Sequence, residues 1–445
     1  MLNKKKPVYI AALATLVLAS TACSGGDSGK AINSEGGNDQ AKRIDMTKPL
    51  ELVYYSDNYV ATPGNDAEFM IEFGQYIQKK YPNVTFNNNI YSAQQKKTID
   101  DNIAAGMRFD LHKGSIAISH KYVDLSIVSD ISDLIKKHNV DLSGVNPILL
   151  EQFKGAAGGK LIGIPYQTLS LILFYNKGIF DKFGVPYPKE GMTWQDMAEL
   201  TRKVTRLDGG VQYSGFTSQQ VWSVPLRNNQ LSLEHIDLKT NKVTFSDPRW
   251  KQLFDDFKNI FQIPGNTPNA TNAFLKEQSL ATILAYPNFY ASIPDTMDWD
   301  MVSAPSMKDK PGLGFQPTPS VLMIHANSPF REEAFLVAVE MLSKSVQLDR
   351  AKNVAASSVL TDPEIRQSIG SGIPALKGKN TAAMQPANMA PAATFTPYTA
   401  DVTKELMDAF NSVMNGTKDT NTALREAEEK SNQIIAEKMA AEGKK

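Results

Sequence analysis

GAAGGKLIGIPYQTLSLILFYNKGIFDKFGVPYPKEGMTWQDMAELTRKVTRL, residues 155–207, decides how the rest of the chain is read. Lys160–Pro165 predicts a short apolar strand closed by proline. Leu169–Tyr175 is an unbroken apolar run, the pattern of a strand covered on both faces. Asn176-Lys177-Gly178 then turns the chain. Thr193, followed by Asp196, predicts a capping box, and Met197, Leu200, Val204 and Leu207 recur behind it at helical spacing.

The same alternation extends in both directions. Upstream, Leu50–Tyr55 reads as a strand, Ala67–Tyr81 as a helix with Phe69, Phe73, Tyr76 and Ile77 on one face, and Val84, Phe86 and Ile90 as one face of a strand. Ala93–Ala105 predicts a second helix, and Phe109-Asp110-Leu111 opens the next strand. Downstream, Asp247-Pro248 starts a helix whose apolar face is Trp250, Leu253, Phe254, Phe257, Ile260 and Phe261. Leu280–Leu284 is a strand running into an aromatic loop, Ser320–His325 another buried strand, and Val402–Met414 and Thr422–Met439 are closing helices. This is a doubly wound α/β pattern, in which ligands sit beyond the carboxyl ends of strands.

At 445 residues the chain is too long for one core, so two lobes are expected. Lysine plus arginine (47) balance aspartate plus glutamate (47), which gives no basic footprint for nucleic acid. One cysteine excludes an intramolecular disulfide and a thiolate zinc site, and five scattered histidines give no metal-ligand spacing. There is no phosphate loop, no G-x-S-x-G elbow and no H-E-x-x-H, so no cofactor, metal or catalytic residue is assigned. A glycan-active enzyme stays as an alternative, because its two carboxylates can lie far apart in sequence.

The cysteine's place is informative. Lys4, Lys5 and Lys6 precede Val8–Ala19, a run too short to span a bilayer, and small residues lead into Cys23. Residues 1–22 read as an export signal, and Leu18-Ala19-Ser20-Thr21-Ala22-Cys23 looks like a bacterial lipobox, which makes Cys23 the lipidation site. The polar stretch 23–45 reads as the lipidated residue and a flexible tether with an r.m.s. span of roughly 25 Å.

Aromatic and amide side chains cluster in the segments after strands. Tyr55, Asp57, Tyr59, Tyr166, Gln167, Gln219, Trp222, Asn288, Phe289, Tyr290 and Phe395 are the candidate ligand contacts. Such a set suits carbohydrate. Flat C–H faces of a sugar ring bury about 1 kcal/mol of apolar area on each aromatic. Buried hydroxyls demand partners, and leaving one unmatched costs about 1–3 kcal/mol. A peptide, a polyol or an anion are the alternative ligands. A cluster of arginines would argue for an anion, and Arg108 and Arg227 are the basic residues placed near the cleft.

GKLIGIPY (159–166), the Tyr175-Asn176-Lys177 close of the apolar run, the F-x-x-x-G-V-x-x-P spacing from Phe180 to Pro188 and Thr193-Trp194 together resemble extracellular solute-binding proteins of ABC sugar importers, the group that includes maltose-binding protein. The resemblance implies a type II periplasmic-binding-protein-like fold: two doubly wound α/β lobes joined by a multi-strand hinge that close over ligand. It implies lobe one at 46–166 plus 318–372 and lobe two at 167–317 plus 373–445, with crossovers near Tyr166–Ser170, Gly314–Pro319 and Ala355–Gly372. Asp57 matches the family's acidic sugar ligand, Gln219 and Trp222 its polar-aromatic loop, and Phe395 or Tyr398 a late cleft aromatic. Asn288-Phe289-Tyr290 stands where the family usually carries a tryptophan, which is absent here. The partners implied are a carbohydrate and the permease subunits of an ABC importer, with the protein a monomer held outside the cell membrane by its lipid anchor.

Overall fold

The computed structural model describes residues 45–56, 69–90, 101, 106, 109–115, 119–219, 223–266 and 271–442. The chain lays down β1 (Leu50–Ser56), β2 (Val84–Ile90), β3 (Leu111–Ser115) and β4 (Gly163–Leu169) in one sheet. It then enters a second sheet with β5 (Ile172–Asn176), β6 (Arg206–Asp208) and β7 (Val211–Ser218). A small ribbon of β8 (Ile236–Asp237) and β9 (Lys242–Val243) precedes β10 (Leu280–Ala285) and β11 (Trp299–Ser303) of that second sheet. β12 (Thr318–Ile324) returns to the first. The strand orders are β2-β1-β3-β12-β4 and β11-β5-β10-β7-β6. β1 runs parallel to β2 and β3, and β7 parallel to β10, whereas β12 and β5 pair antiparallel with their neighbours.

Both sheets are covered on both faces, and strand alternation explains how. Leu52 and Tyr54 of β1 enter one core while Val53 and Tyr55 enter the core on the opposite face. In β5, Leu173 and Tyr175 face one way, with Leu171 just before the strand, and Ile172 and Phe174 the other. Two-sided burial is the reason Leu171–Tyr175 reads as a continuous apolar run, but the strand expected over Leu169–Tyr175 begins only at Ile172, because Leu169 closes β4 of the first sheet. The capping box is present: Thr193 Oγ1 accepts from the Asp196 amide at 3.2 Å, and the Thr193 amide donates to Asp196 Oδ2 at 2.9 Å. It starts the helix Trp194–Val204, which buries Trp194, Met197, Ala198, Thr201 and Val204.

Three local expectations are corrected. The helix ends at Val204, and Leu207, expected on its inner face, sits 70% exposed in β6 at the sheet edge. β4 begins at Gly163 and runs through Pro165 rather than stopping there. Proline is tolerated because, among the described residues, β4 is the outer strand of its sheet and lacks a partner on one side. The segment 355–372, expected with the first sheet, sends Ile365 and Ile369 into a core of the second. The transition falls earlier, inside the helix Lys344–Val354: Val346 packs with the first sheet and Ala351 with the second.

At Gly163 the backbones of β4 and β12 come too close for a side chain. A Cβ added there would clash with the Leu322 carbonyl oxygen of β12 and meet its carbon at 2.8 Å. Backbone cannot swing aside as a side chain does, so Gly163→Ala is expected to lower unfolding free energy by about 1–3 kcal/mol, the range for overpacking. A urea melt checks it; an unchanged midpoint would show that β4 and β12 separate more easily than this pairing requires.

Candidate functional site

A cavity of ≈ 490 Å³ opens where the sheets adjoin. Its wall takes Gln167 and Leu169 from the end of β4, Thr318, Pro319 and Ser320 from the start of β12, and Arg350 with 354–357 from the end of the helix Lys344–Val354. These are the three stretches by which the chain passes from one sheet to the other. The rim is completed by Ile71 and Glu72 of Met70–Gly74, Lys113 and Gly114 of β3, and Pro287 and Asn288 of the 3₁₀ turn Pro287–Ser292 that follows β10.

Sheet register aims the wall. Ser320 pairs with Gln167, but Val321 pairs with Pro165, so Tyr166 is the extra residue of a β-bulge. Bulges bend a strand and re-aim its side chains. Here Gln167 faces the cavity, while the Tyr166 ring, 1% exposed, turns into the first-sheet core.

A charged network lies against the wall. Glu72 forms an ion pair with the buried Lys113 and accepts from the Tyr166 hydroxyl at 3.1 Å. Burial alone pushes the Glu72 carboxyl up; Lys113, with Arg350 and the Tyr166 hydroxyl, outweighs it and holds the group below its ordinary value. Burial, reinforced by the Glu72 charge, keeps the Tyr166 phenol well above its ordinary value, so it stays a donor. Arg350 donates to the Glu72 carbonyl and to Gln167 Oε1, and its guanidinium lies 5.2 Å from the Tyr166 ring centroid and 5.8 Å from that of Tyr76. Gln347 adds a brace, donating to the Tyr166 carbonyl at 2.8 Å and accepting from Ser358 Oγ at 2.6 Å. Hydroxyl, amide, carboxylate and cationic groups therefore line one concave space, the composition expected of a polar-ligand site.

Of the expected contacts, the structure brings Gln167 and Asn288 to this cavity. Tyr166 reaches it only through Glu72. Tyr55 is corrected to a core residue, 2% exposed, with its ring centroid 4.9 Å from His112 and 6.0 Å from Phe109. Phe289 is also core, packed at 5.4 Å from Phe174 and 5.9 Å from Phe274, because the 3₁₀ turn points it inward while Asn288 points out. Tyr290 packs half-buried on that core, and Phe395 half-buried on the outer core of the first sheet. Gln219 follows β7, its amide donating to the Leu284 carbonyl at 2.7 Å, and does not line the cavity. Asp57, Tyr59, Trp222 and Cys23 lie outside the described residues. Among the described residues no aromatic side chain lines the cavity, because the strand-end aromatics complete cores instead. Among them, too, no group of three His, Cys, Asp or Glu could hold a metal, and no helix is long and apolar enough to cross a membrane.

Nothing in the sequence singles out Glu72, Lys113 or Arg350. Lys113 lies in Leu111–Ser115 (LHKGS), which has no apolar run against which an ionisable residue would stand out. Arg350 gave no signal, since its helix carries charges all along its length.

The family model for bacterial extracellular solute-binding proteins matches residues 62–348. A curated relative, the sn-glycerol-3-phosphate-binding periplasmic protein UgpB of Pectobacterium atrosepticum, is 28% identical over 156 residues. That match covers 32% of this chain and 35% of the relative's own length. An ABC substrate-binding protein from Listeria monocytogenes, solved with cycloalternan, superposes with a TM-score of 0.68 over 87% of this chain and 100% of that one at 19% identity. UgpB from Mycobacterium tuberculosis, solved with glycerophosphocholine, gives 0.67 over 88% and 99% at 14% identity. At such identities the two structures speak to the fold.

The Glu72–Lys113 pair yields a prediction. Glu72→Gln leaves Lys113 buried without its counter-charge and is expected to cost about 2 kcal/mol at pH 7, less than for a fully buried pair because Glu72 keeps some solvent contact. A carboxyl held below its ordinary value stabilises the fold above that value and stops doing so as pH falls through its folded one. The gap between wild type and variant should therefore be full at pH 7 and shrink below about pH 4. Denaturant titrations at both pH values measure it; a gap independent of pH would contradict the ion pair.

Proposed function

Because the chain belongs to the bacterial extracellular solute-binding protein family, we propose that it captures a hydroxyl-rich solute, a sugar or short oligosaccharide, in the cavity between its two sheets and hands it to the permease of an ABC importer. The observation that carries this reading is the cavity's double ownership: Asn288 comes from the second sheet's turn, Glu72, Lys113 and Gln167 from the first sheet's elements, and the passages between sheets form the rest. A solute touching both sides binds the closed arrangement better than an open one, and it shifts the population only by that difference in affinity.

The two lobes of this reading comprise 46–169 plus 318 to about 350, and 170–317 plus the remainder; the first boundary falls after Leu169 rather than after Tyr166 because β4 runs to Leu169 in the first sheet. The later boundary sits at Ala351 because that residue shares the second sheet's core. Gln167, Asn288, Glu72 and Lys113 are the proposed hydroxyl partners, with Asp57, Tyr59 and Trp222 as further contacts supplied by the chain after β1 and β7. The oligosaccharide and glycerol derivatives named for the relatives share polyhydroxyl character, which supports the class without choosing a member. The protein binds and releases without catalysis, acts as a monomer, and is held outside the membrane by lipid on Cys23 and the tether that follows.

A thermal-shift panel of mono- and oligosaccharides tests the reading. A bound member at 100-fold over its dissociation constant adds about 2.7 kcal/mol of stability. Gln167→Ala and Asn288→Ala should each weaken that ligand at least tenfold, as loss of about 1.4 kcal/mol does. A flat panel would count against solute capture. For the anchor, mature protein should enter the detergent phase on partitioning and Cys23→Ala should stay aqueous; aqueous wild type would remove the lipid.

A further inference from the structure

We propose that the solute carries an acidic group, phosphoryl or carboxylate, alongside its hydroxyls, and that Arg350 is the residue that selects for it; this rests on the solute-capture reading above. The reason is charge bookkeeping at the wall. Arg350 is 2% exposed and lines the cavity. Its described hydrogen bonds go to neutral oxygens, the Glu72 carbonyl and the Gln167 side chain, and among the described residues it forms no ion pair. The nearby Glu72 carboxylate is already held by Lys113 and the Tyr166 hydroxyl. Among the described residues the wall therefore presents two buried cations against one carboxylate.

Arg227 lies behind the wall on the second sheet's side and does not itself line the cavity. Its Nε donates to the neutral Asn228 Oδ1 at 3.0 Å, and among the described residues it too has no ion pair. It flanks the phenol of Tyr286, whose other neighbour is Thr318 of the cavity wall.

A desolvated cation is costly unless something compensates it. A neutral hydroxyl satisfies a guanidinium N–H but not its charge. A phosphoryl or carboxylate does both, and the guanidinium fork matches either one in a two-point contact. Hydroxyls of the same solute then fall to Gln167, Asn288 and the Glu72 carboxylate, which would repel a second anion.

Titration calorimetry on the mature protein, with matched probes, decides it: glucose against glucose 6-phosphate, glycerol against glycerol 3-phosphate, and gluconate to separate carboxylate from phosphoryl. At least one acidic probe should bind tenfold or more tighter than its neutral counterpart, and the advantage should shrink at least threefold between 50 and 300 mM KCl, on the order that screening allows. Arg350→Gln should abolish the advantage, the acidic probe losing at least tenfold more affinity than its neutral counterpart. Arg227→Gln, on a half-buried side chain, should reduce it and keeps the test decisive if the first variant fails to fold. Neutral probes binding as tightly as acidic ones, or an acidic preference untouched by both substitutions, overturns the inference and leaves solute capture standing. Absence of binding by any probe or sugar overturns both.

Discussion

The structure depends on the chain changing sheets at one place. β4 ends in the first sheet and β5 begins in the second after two intervening residues, β12 brings the chain back, and the helix Lys344–Val354 carries it over once more. These passages are tied to one another. β4 and β12 share an antiparallel ladder, the Thr168 amide donates to the Ser357 carbonyl at 3.2 Å, and Gln347 and Arg350 reach from the helix to Tyr166 and Gln167. A wall built from such segments belongs to neither sheet alone.

The bulge at Tyr166 turns this topology into a site. Without the extra residue, strict alternation would place Gln167 on the face opposite the one it now takes relative to Ser320, since a one-residue slip reverses every side chain. Tyr166 follows Ile164 into the first-sheet core by ordinary alternation and delivers its hydroxyl to Glu72, while Gln167 lines the cavity. Glu72, Lys113 and Arg350 then share a partly desolvated space, where interactions between charges are stronger than in water and an unmatched one is felt. Polar groups held in position by the fold, rather than by the ligand, need little reorganisation on binding.

The fold was largely legible in the sequence because its signals are local and physical. Two-sided burial gave continuous apolar runs at Leu171–Tyr175 and Ser320–His325, and a capping box announced the helix after Thr193. Pro165 misled, because sequence does not say that its strand lies at a sheet edge. The site was less legible. Tyr55, Tyr166 and Phe289 sit after or within strands in just the places a ligand aromatic would occupy, yet each completes a core. Which way such a residue turns is set by strand register and 3₁₀ turns that pattern reading does not resolve. Glu72, Lys113 and Arg350 come together from positions as far apart as 278 residues, as in the Arg350 to Glu72 bond. No spacing rule reaches that distance.

The central claim is that solute bound in the wall formed by the sheet-to-sheet passages draws the lobes together. Small-angle X-ray scattering on the mature protein, with and without a ligand whose binding has been established by calorimetry, addresses it directly. The account predicts a smaller radius of gyration and a shorter maximum dimension on saturation. An unchanged scattering curve at full occupancy would contradict it.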